Sequence, residues 1–366
     1  MHAEVIDQIP EVDEQTAMEN IPSLISATSS GKLDAYVTEK PIAMATTAAN
    51  PDLSFVEFEE GEGFDASEEE TTVAVGLRKG SSLTEPINEV LDSIPQEERD
   101  EIMEEMVELN VREDEGGFWK SVWDLAKGYA PLFLNGAGMT LLISIVSTIV
   151  GFIIGLIIAV VRSIKVNKKV HPIQNIFHKM IDWILVGYIE IFRGTPMMVQ
   201  SMMIYYGSKL FLNIDLGMLT AALFIVSINT GAYLAEVVRG GIVSVEKGQL
   251  EAAKSVGMTH QQAMFTIVLP QAVKNILPSI GNEFITNIKD TSVLNVIAVT
   301  ELFFITKSAA GSTYLIFQSY LIASIIYFVL TFTFSRLLQW FERKLEGNAS
   351  YELVEYNEIG NVSNEE

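Results

Sequence analysis

The sequence predicts an all-α polytopic membrane domain of about five transmembrane helices, preceded by an acidic α/β segment. Long apolar stretches, an uneven distribution of charge, and short alternating segments near the start carry that prediction. Residues 1–115 hold 30 acidic and 6 basic side chains, residues 116–345 hold 11 and 18, and residues 346–366 hold 6 and none. The net charge of −23 therefore belongs to the front and the tail, not to the apolar middle.

A membrane span needs about 20 apolar residues. Gly136 to Val161 is the clearest such stretch, being almost uncharged and rich in Ile, Leu and small residues. Further spans are expected at Trp183 to Phe211, Leu216 to Val238, Leu277 to Phe304 and Tyr314 to Phe341. The second and fourth carry charges and helix breakers, so they read as packed or pore-lining helices. Trp119, Val122, Trp123 and Ala126 recur at helical spacing, and an interfacial linker helix is expected over 113–135. Simple packing of the two Trp is the alternative.

Lys and Arg near the span ends set the orientation. Eleven such residues, among them Arg162, Lys165, Arg239, Lys254 and Arg343, fall on one side, and four (Lys120, Lys127, Lys209, Lys307) on the other. The N-terminus is expected outside and the C-terminus in the cytoplasm. Met1 to Pro10 carries Glu4 and Asp7 with no apolar run, so it does not read as a signal peptide. Absence of Cys excludes disulfides and thiolate chemistry within the chain without deciding the redox compartment.

In the front part, Gly31 to Val37 reads as a turn and short strand, and Thr72 to Leu77 as a second strand. Thr84 is expected to cap a helix bearing Ile87, Val90 and Leu91, and Gln96 to Leu109 places Ile102, Met106 and Leu109 on one face. The run Glu57 to Glu70 reads as a solvated acidic loop. Acidic surface without interleaved Arg or Lys argues against a nucleic-acid partner. The order of these elements is similar to the last part of a two-lobed amino-acid substrate-binding protein, which implies an incomplete extracytoplasmic segment over 1–112. In that resemblance Glu39 stands where an acidic group meets the ligand's ammonium, a charge-assisted contact; a solvated strand-end charge is the alternative.

Between the third and fourth spans lies a polar hairpin, 244–269. Glu251, Ala252 and Ala253 belong to a short run of helix formers, Gly257 stops it, and Thr259 with Gln262 forms a capping box that restarts it. Ile267, Leu269 and Pro270 follow, Pro270 being tolerated at the first position of the next helix. This pattern resembles the coupling loop of permease subunits of bacterial ABC importers. Three further motifs are similar to the polar amino-acid permeases of that family: Glu190 with Arg193, Gly194, Thr195 and Pro196; Glu236 with Arg239; and Asn282 with Lys289, Asp290, Thr291 and Ser292.

The resemblance covers about residues 130–343 and implies a type I ABC importer permease fold in a bacterial cell membrane. Its implied partners are a dimer of ATP-binding subunits, a second permease subunit, the amino-acid ligand, and membrane lipid, with a separate full-length binding protein left open. No cofactor is expected in this chain; ATP and Mg would sit on the partner, and no phosphate loop is present. The four His, namely His2, His171, His178 and His260, form no expected metal cluster.

An unpaired charge in hydrocarbon costs several kcal/mol, so a charged amino acid crossing the membrane needs compensating groups. Glu283 and Asn282 in the fourth span, and Asn229 in the third, are the expected pathway residues, with Lys289, Asp290, Thr291 and Ser292 beyond. A structural ion pair of Glu283 with Lys289 or Lys274 is the competing reading. Pro196 interrupts its helix, and Thr195 is expected to satisfy the freed carbonyls. Met197, Met198, Met202 and Met203 read as deformable packing. A ligand-sensing receptor that signals without transport is the alternative function, disfavoured by the hairpin and the short acidic tail.

Overall fold

The computed structural model describes residues 20–56, 75–77, 79–95, 97–99, 101–102, 117–163 and 172–346, with positions 8–9, 12–15, 18, 58 and 64. It divides into two compact units, Met1–Thr140 with Ala298–Ile326, and Leu141–Ile297 with Tyr327–Glu366.

The first unit opens with α1 (Ile21–Ser29) and α2 (Lys40–Ala49), each starting with Pro near its first position, where a missing N–H costs nothing. Between them Gly31 to Val37 forms a turn and then extended chain without a strand. That corrects the expected α/β segment: no strand occurs among the described residues, because no partner lies alongside to complete a ladder. Residues 72–74 of the other expected strand lie outside the described residues, and 75–77 are irregular. Thr84 begins α3 (Thr84–Ser93) instead of capping it, donating its hydroxyl to Ser81 O at 3.1 Å. Of the next expected helix, 97–99 and 101–102 are helical and Met106 and Leu109 lie outside the described residues. The acidic run 57–70, apart from Phe58 and Phe64, lies outside them too.

The linker helix α4 (Phe118–Gly128) leaves Trp119 and Trp123 exposed and buries Ser121 and Leu125. After a break at Tyr129, α5 (Ala130–Ser163) runs without interruption, longer than the expected span because its neighbours at both ends are also helix formers. The last pieces of the first unit are α12 (Leu302–Thr313) and the start of α13 (Ile316–Glu346). Glu301, fully buried, caps α12 by accepting from the backbone N–H of Phe303 (2.8 Å) and Phe304 (2.7 Å).

The second unit holds α6 (Pro172–Gly194), α7 (Met197–Leu212), α8 (Met218–Ser244), α9 (Lys247–Ser255), α10 (His260–Ala263), a π turn (Met264–Val268) and α11 (Leu269–Asp290), which ends in a 3₁₀ turn (Thr291–Ile297). Among the described residues four helical stretches are long and apolar enough to cross a membrane: Ala130–Ser163, Met218–Ser244, His260–Ile297 and Ile316–Lys344. The expected second span is not one of them. It is two helices, α6 and α7, which meet at Gly194–Pro196. Where five spans were expected, four apolar helices and one broken segment are found.

Small residues let α5 and α8 touch. A Cβ on Gly155 would lie 2.7 Å from Ala235 N, so only hydrogen fits there. Close backbone approach through small residues is the usual means of packing helices in lipid, where apolar burial gives little drive.

Candidate functional site

The hairpin is built as two short arms. In α9 the Val256 cap is followed by Gly257 at φ +87°, a left-handed conformation that favours glycine. Met258 N–H donates to Ala253 O (3.1 Å) and Gly257 N–H to Lys254 O (3.0 Å), the paired closure of a Schellman motif. Thr259 then starts the second arm: its hydroxyl accepts from Gln262 N–H (3.2 Å), and Gln262 Oε1 accepts from Thr259 N–H (2.9 Å). The expected elbow and capping box are both present.

Within the Glu-Ala-Ala triplet the roles divide. Ala253 is buried with Ala263, Met264 and Val268, and α9 packs on the π turn, so a small side chain at 253 sets the spacing of the arms. Glu251 and Ala252 face outward, as do Val256 at 79% and Phe265 at 59% exposure.

The second arm runs through a π turn into α11, and Pro270 stands in the first turn of that helix, as expected. Pro270 has no N–H to give back along the ladder, and the helix accommodates it by widening: Leu269 N–H reaches Met264 O, one residue further than in an α-helix. Ile267 lies in this widened turn, Leu269 is half-buried and Pro270 exposed. Asn275 donates to Ser244 Oγ at 3.1 Å, tying α11 to the end of α8 and closing the hairpin at its base.

A cluster of four charges joins α5, α6 and α8. Arg162 of α5 donates to Asp182 of α6 (3.0 Å) and Glu236 of α8 (2.9 Å), and Arg239 donates to the other oxygen of Glu236 (2.8 Å). Glu236 and Arg239 were singled out by sequence; Arg162 and Asp182 were not, since nothing in their spacing pairs them.

At the α6–α7 break, Thr195 donates to Ile191 O (2.8 Å), as expected. Gln200, buried and unforeseen, donates to Phe192 O (2.9 Å), Thr195 O (2.9 Å) and Thr195 Oγ1 (2.8 Å). Asn229 donates to Gln200 Oε1 (2.9 Å) and Phe192 O (3.2 Å), so its amide belongs to this brace. Arg193 lies over the Tyr233 ring at 5.5 Å, and Glu190, Gly194 and Pro196 are exposed.

In α11, Asn282, Lys289 and Asp290 are exposed and Glu283 is half-buried. Among the described residues no ion pair of Glu283 with Lys274 or Lys289 is formed. Thr291 is buried and donates to Ile288 O (3.1 Å), while Ser292 O accepts from Asn295 (2.7 Å); both shape the 3₁₀ turn. Asn287, 3% exposed, was missed: its amide donates to Thr148 Oγ1 (2.9 Å) and Thr230 Oγ1 (3.0 Å), linking α5, α8 and α11. Its place on the buried stripe with Ile276, Phe284 and Ile288 was the available signal. Glu39 is exposed at the N-cap position of α2 and makes no capping bond.

Residues 151–347 match the family described as the inner membrane component of binding-protein-dependent transport systems. A probable amino-acid permease protein of Bacillus subtilis is 44% identical over 160 residues, 43% of this chain and 71% of that protein. The L-cystine transport system permease protein of the same organism is 36% identical, over 61% of this chain and 91% of its own length. The glutamine transport system permease protein of Escherichia coli is 31% identical, over 62% and 97%. A solved amino acid ABC transporter with histidines superposes with TM-score 0.53 at 40% identity, covering 59% of this chain and 95% of that one. With the hairpin, the broken helix and the charge cluster in place, the chain belongs to the family of inner membrane components of binding-protein-dependent transport systems.

Proposed function

We propose that this chain is the permease subunit of an ATP-driven ABC importer that carries polar or charged amino acids across the cytoplasmic membrane. The observation that carries the reading is the hairpin: a rigid elbow, fixed by Gly257 and the Thr259 box, with Glu251, Val256 and Phe265 outward. Such an element suits the groove of an ATP-binding subunit, whose closure it would pass to α8 and α11 as a rigid-body tilt. Amino-acid permeases among the similar proteins support the substrate class. Hydrolysis of ATP, with its Mg, would take place on the partner.

For the substrate, Glu283 is the group we assign to an ammonium or guanidinium in transit, with Asn282 beside it. A half-buried carboxylate without a protein cation is suited to that task. The bonds that Asn229, Thr291 and Ser292 make to protein groups support a part in holding the pathway's walls. A second permease subunit would complete the pathway, and the Lys and Arg bias places the hairpin and C-terminus in the cytoplasm.

Uptake of labelled amino acids into proteoliposomes holding this chain and its ATP-binding subunit, with ATP inside and with or without a binding protein, tests the reading. Accumulation of one polar amino acid only with ATP is expected. Flux that is indifferent to ATP would instead indicate a channel, and no flux with any amino acid would favour a receptor.

A further inference from the structure

Residues 20–53 lie outside the family match, which begins at 151, yet they are built into the protein. Asn20 caps α1 by accepting from Ser23 N–H at 3.0 Å. Ile25, 1% exposed, shares one apolar cluster with Ala310 of α12 and Ile316 of α13, closed by Ile21, Tyr36, Leu53, Tyr314 and Tyr320. The first helix among the described residues therefore seats on the turn between the last two.

Two features of that turn point the same way. Tyr314 holds φ +57°, where a non-glycine residue costs about 1–2 kcal/mol, and its ring packs into the cluster that includes Ile25 and Tyr36. A strained backbone of this kind persists where surrounding contacts hold it. The Tyr36 hydroxyl is pushed above its ordinary pKa, chiefly by burial, in keeping with its half-buried place against this cluster. On the same elements, Phe118 of α4 lies 5.8 Å from Phe317, and Tyr129 shares a hydrogen bond with Ser312 (2.8 Å). The α12–α13 turn is thus gripped by both the N-terminal helices and the linker helix.

We propose that residues 20–53 are a cap whose partner is the α12–α13 turn of the same chain, and that the cap holds this turn in place during transport. The N-terminal extension is then a working part of the translocator and not a receptor lobe. It needs no ligand of its own, and Glu39 has no part in substrate recognition. The role in transport rests on the importer reading; the contact itself does not.

The absence of Cys from the chain makes a direct test available. Ile25→Cys and Ile316→Cys are introduced together, with a protease site in the stretch 57–74, and membranes are treated with a short bifunctional thiosulfonate and then cleaved. The two fragments are expected to stay joined until reductant is added. A Val90→Cys control, on exposed α3, is expected not to join to Ile316→Cys. Uptake by the linked protein should be at least half that of the reduced protein, Ile25→Asp should lower uptake tenfold or more at equal membrane levels, and Glu39→Gln should leave substrate KM unchanged. Fragments that separate without reductant would overturn the contact. Uptake arrested by linking and restored by reductant would make the segment a moving lid, and full uptake by Ile25→Asp or a shifted KM in Glu39→Gln would equally contradict the cap. If the unsubstituted chain shows no uptake, the importer reading fails while the linking result still decides the contact.

Discussion

Gly257 shows how much of the hairpin's elbow rests on one residue. Its left-handed φ lets both Schellman bonds close, and any side chain there is strained by about 1 kcal/mol. Gly257→Ala should insert normally and lose uptake only modestly, whereas Gly257→Pro removes the N–H that bonds Lys254 O and should abolish energised uptake with membrane levels unchanged. Full transport by the proline variant would refute the coupling role. Glu283→Gln removes the charge without changing shape and is expected to shift substrate KM or the maximal rate at least tenfold; unchanged kinetics would return Glu283 to a structural part. Asn287 offers a contrast, since its partners are all protein groups. Asn287→Ala should cost about 1–3 kcal/mol by taking from the buried Thr230 hydroxyl the amide it bonds, Thr148 keeping its bond to Ser144 O, read as a lower Tm in detergent, while KM stays put.

At the scale of elements, the hairpin was legible because its signals are local: a Gly stop, a capping box and a Pro within a few residues of one another. The widened turn at Met264–Val268 was not, because how a helix absorbs a Pro depends on what packs against it. The same holds at the α6–α7 break, where Pro196 and Thr195 could be read but Gln200, bonded back across the break, could not. The strand expected within 31–37 failed for a related reason: short alternation is a weak signal without a neighbouring strand, and Tyr36 packs instead against the cluster of Ile25, Ala310 and Ile316. Helix crossings also depend on distant residues. Gly155→Leu is expected to push α5 off α8 and lower both Tm and the membrane level, since the backbone at Ala235 cannot give way as a side chain could.

Across the whole molecule, the apolar membrane domain follows from composition and length, while the contacts that make it a machine are long-range. The Arg162 cluster draws together three helices through residues far apart in sequence. Arg162→Met should leave Glu236 and Asp182 short of a cation and reduce uptake, and a swap of Arg162→Glu with Glu236→Arg should recover less than the wild-type level because Arg239 and Asp182 would then face like charges. The orientation can be checked with single Cys substitutions in this Cys-free chain: Val256→Cys is expected to label only from the cytoplasmic side, and Trp119→Cys only from outside.

The measurement that bears most directly on the central claim is the ratio of amino acid accumulated to ATP hydrolysed in proteoliposomes, for the wild-type chain and for Gly257→Pro, each with its ATP-binding subunit. A hairpin that couples the two predicts a fixed ratio for the wild type and hydrolysis without accumulation, or neither activity, for the variant. Equal accumulation per ATP in both would contradict the account.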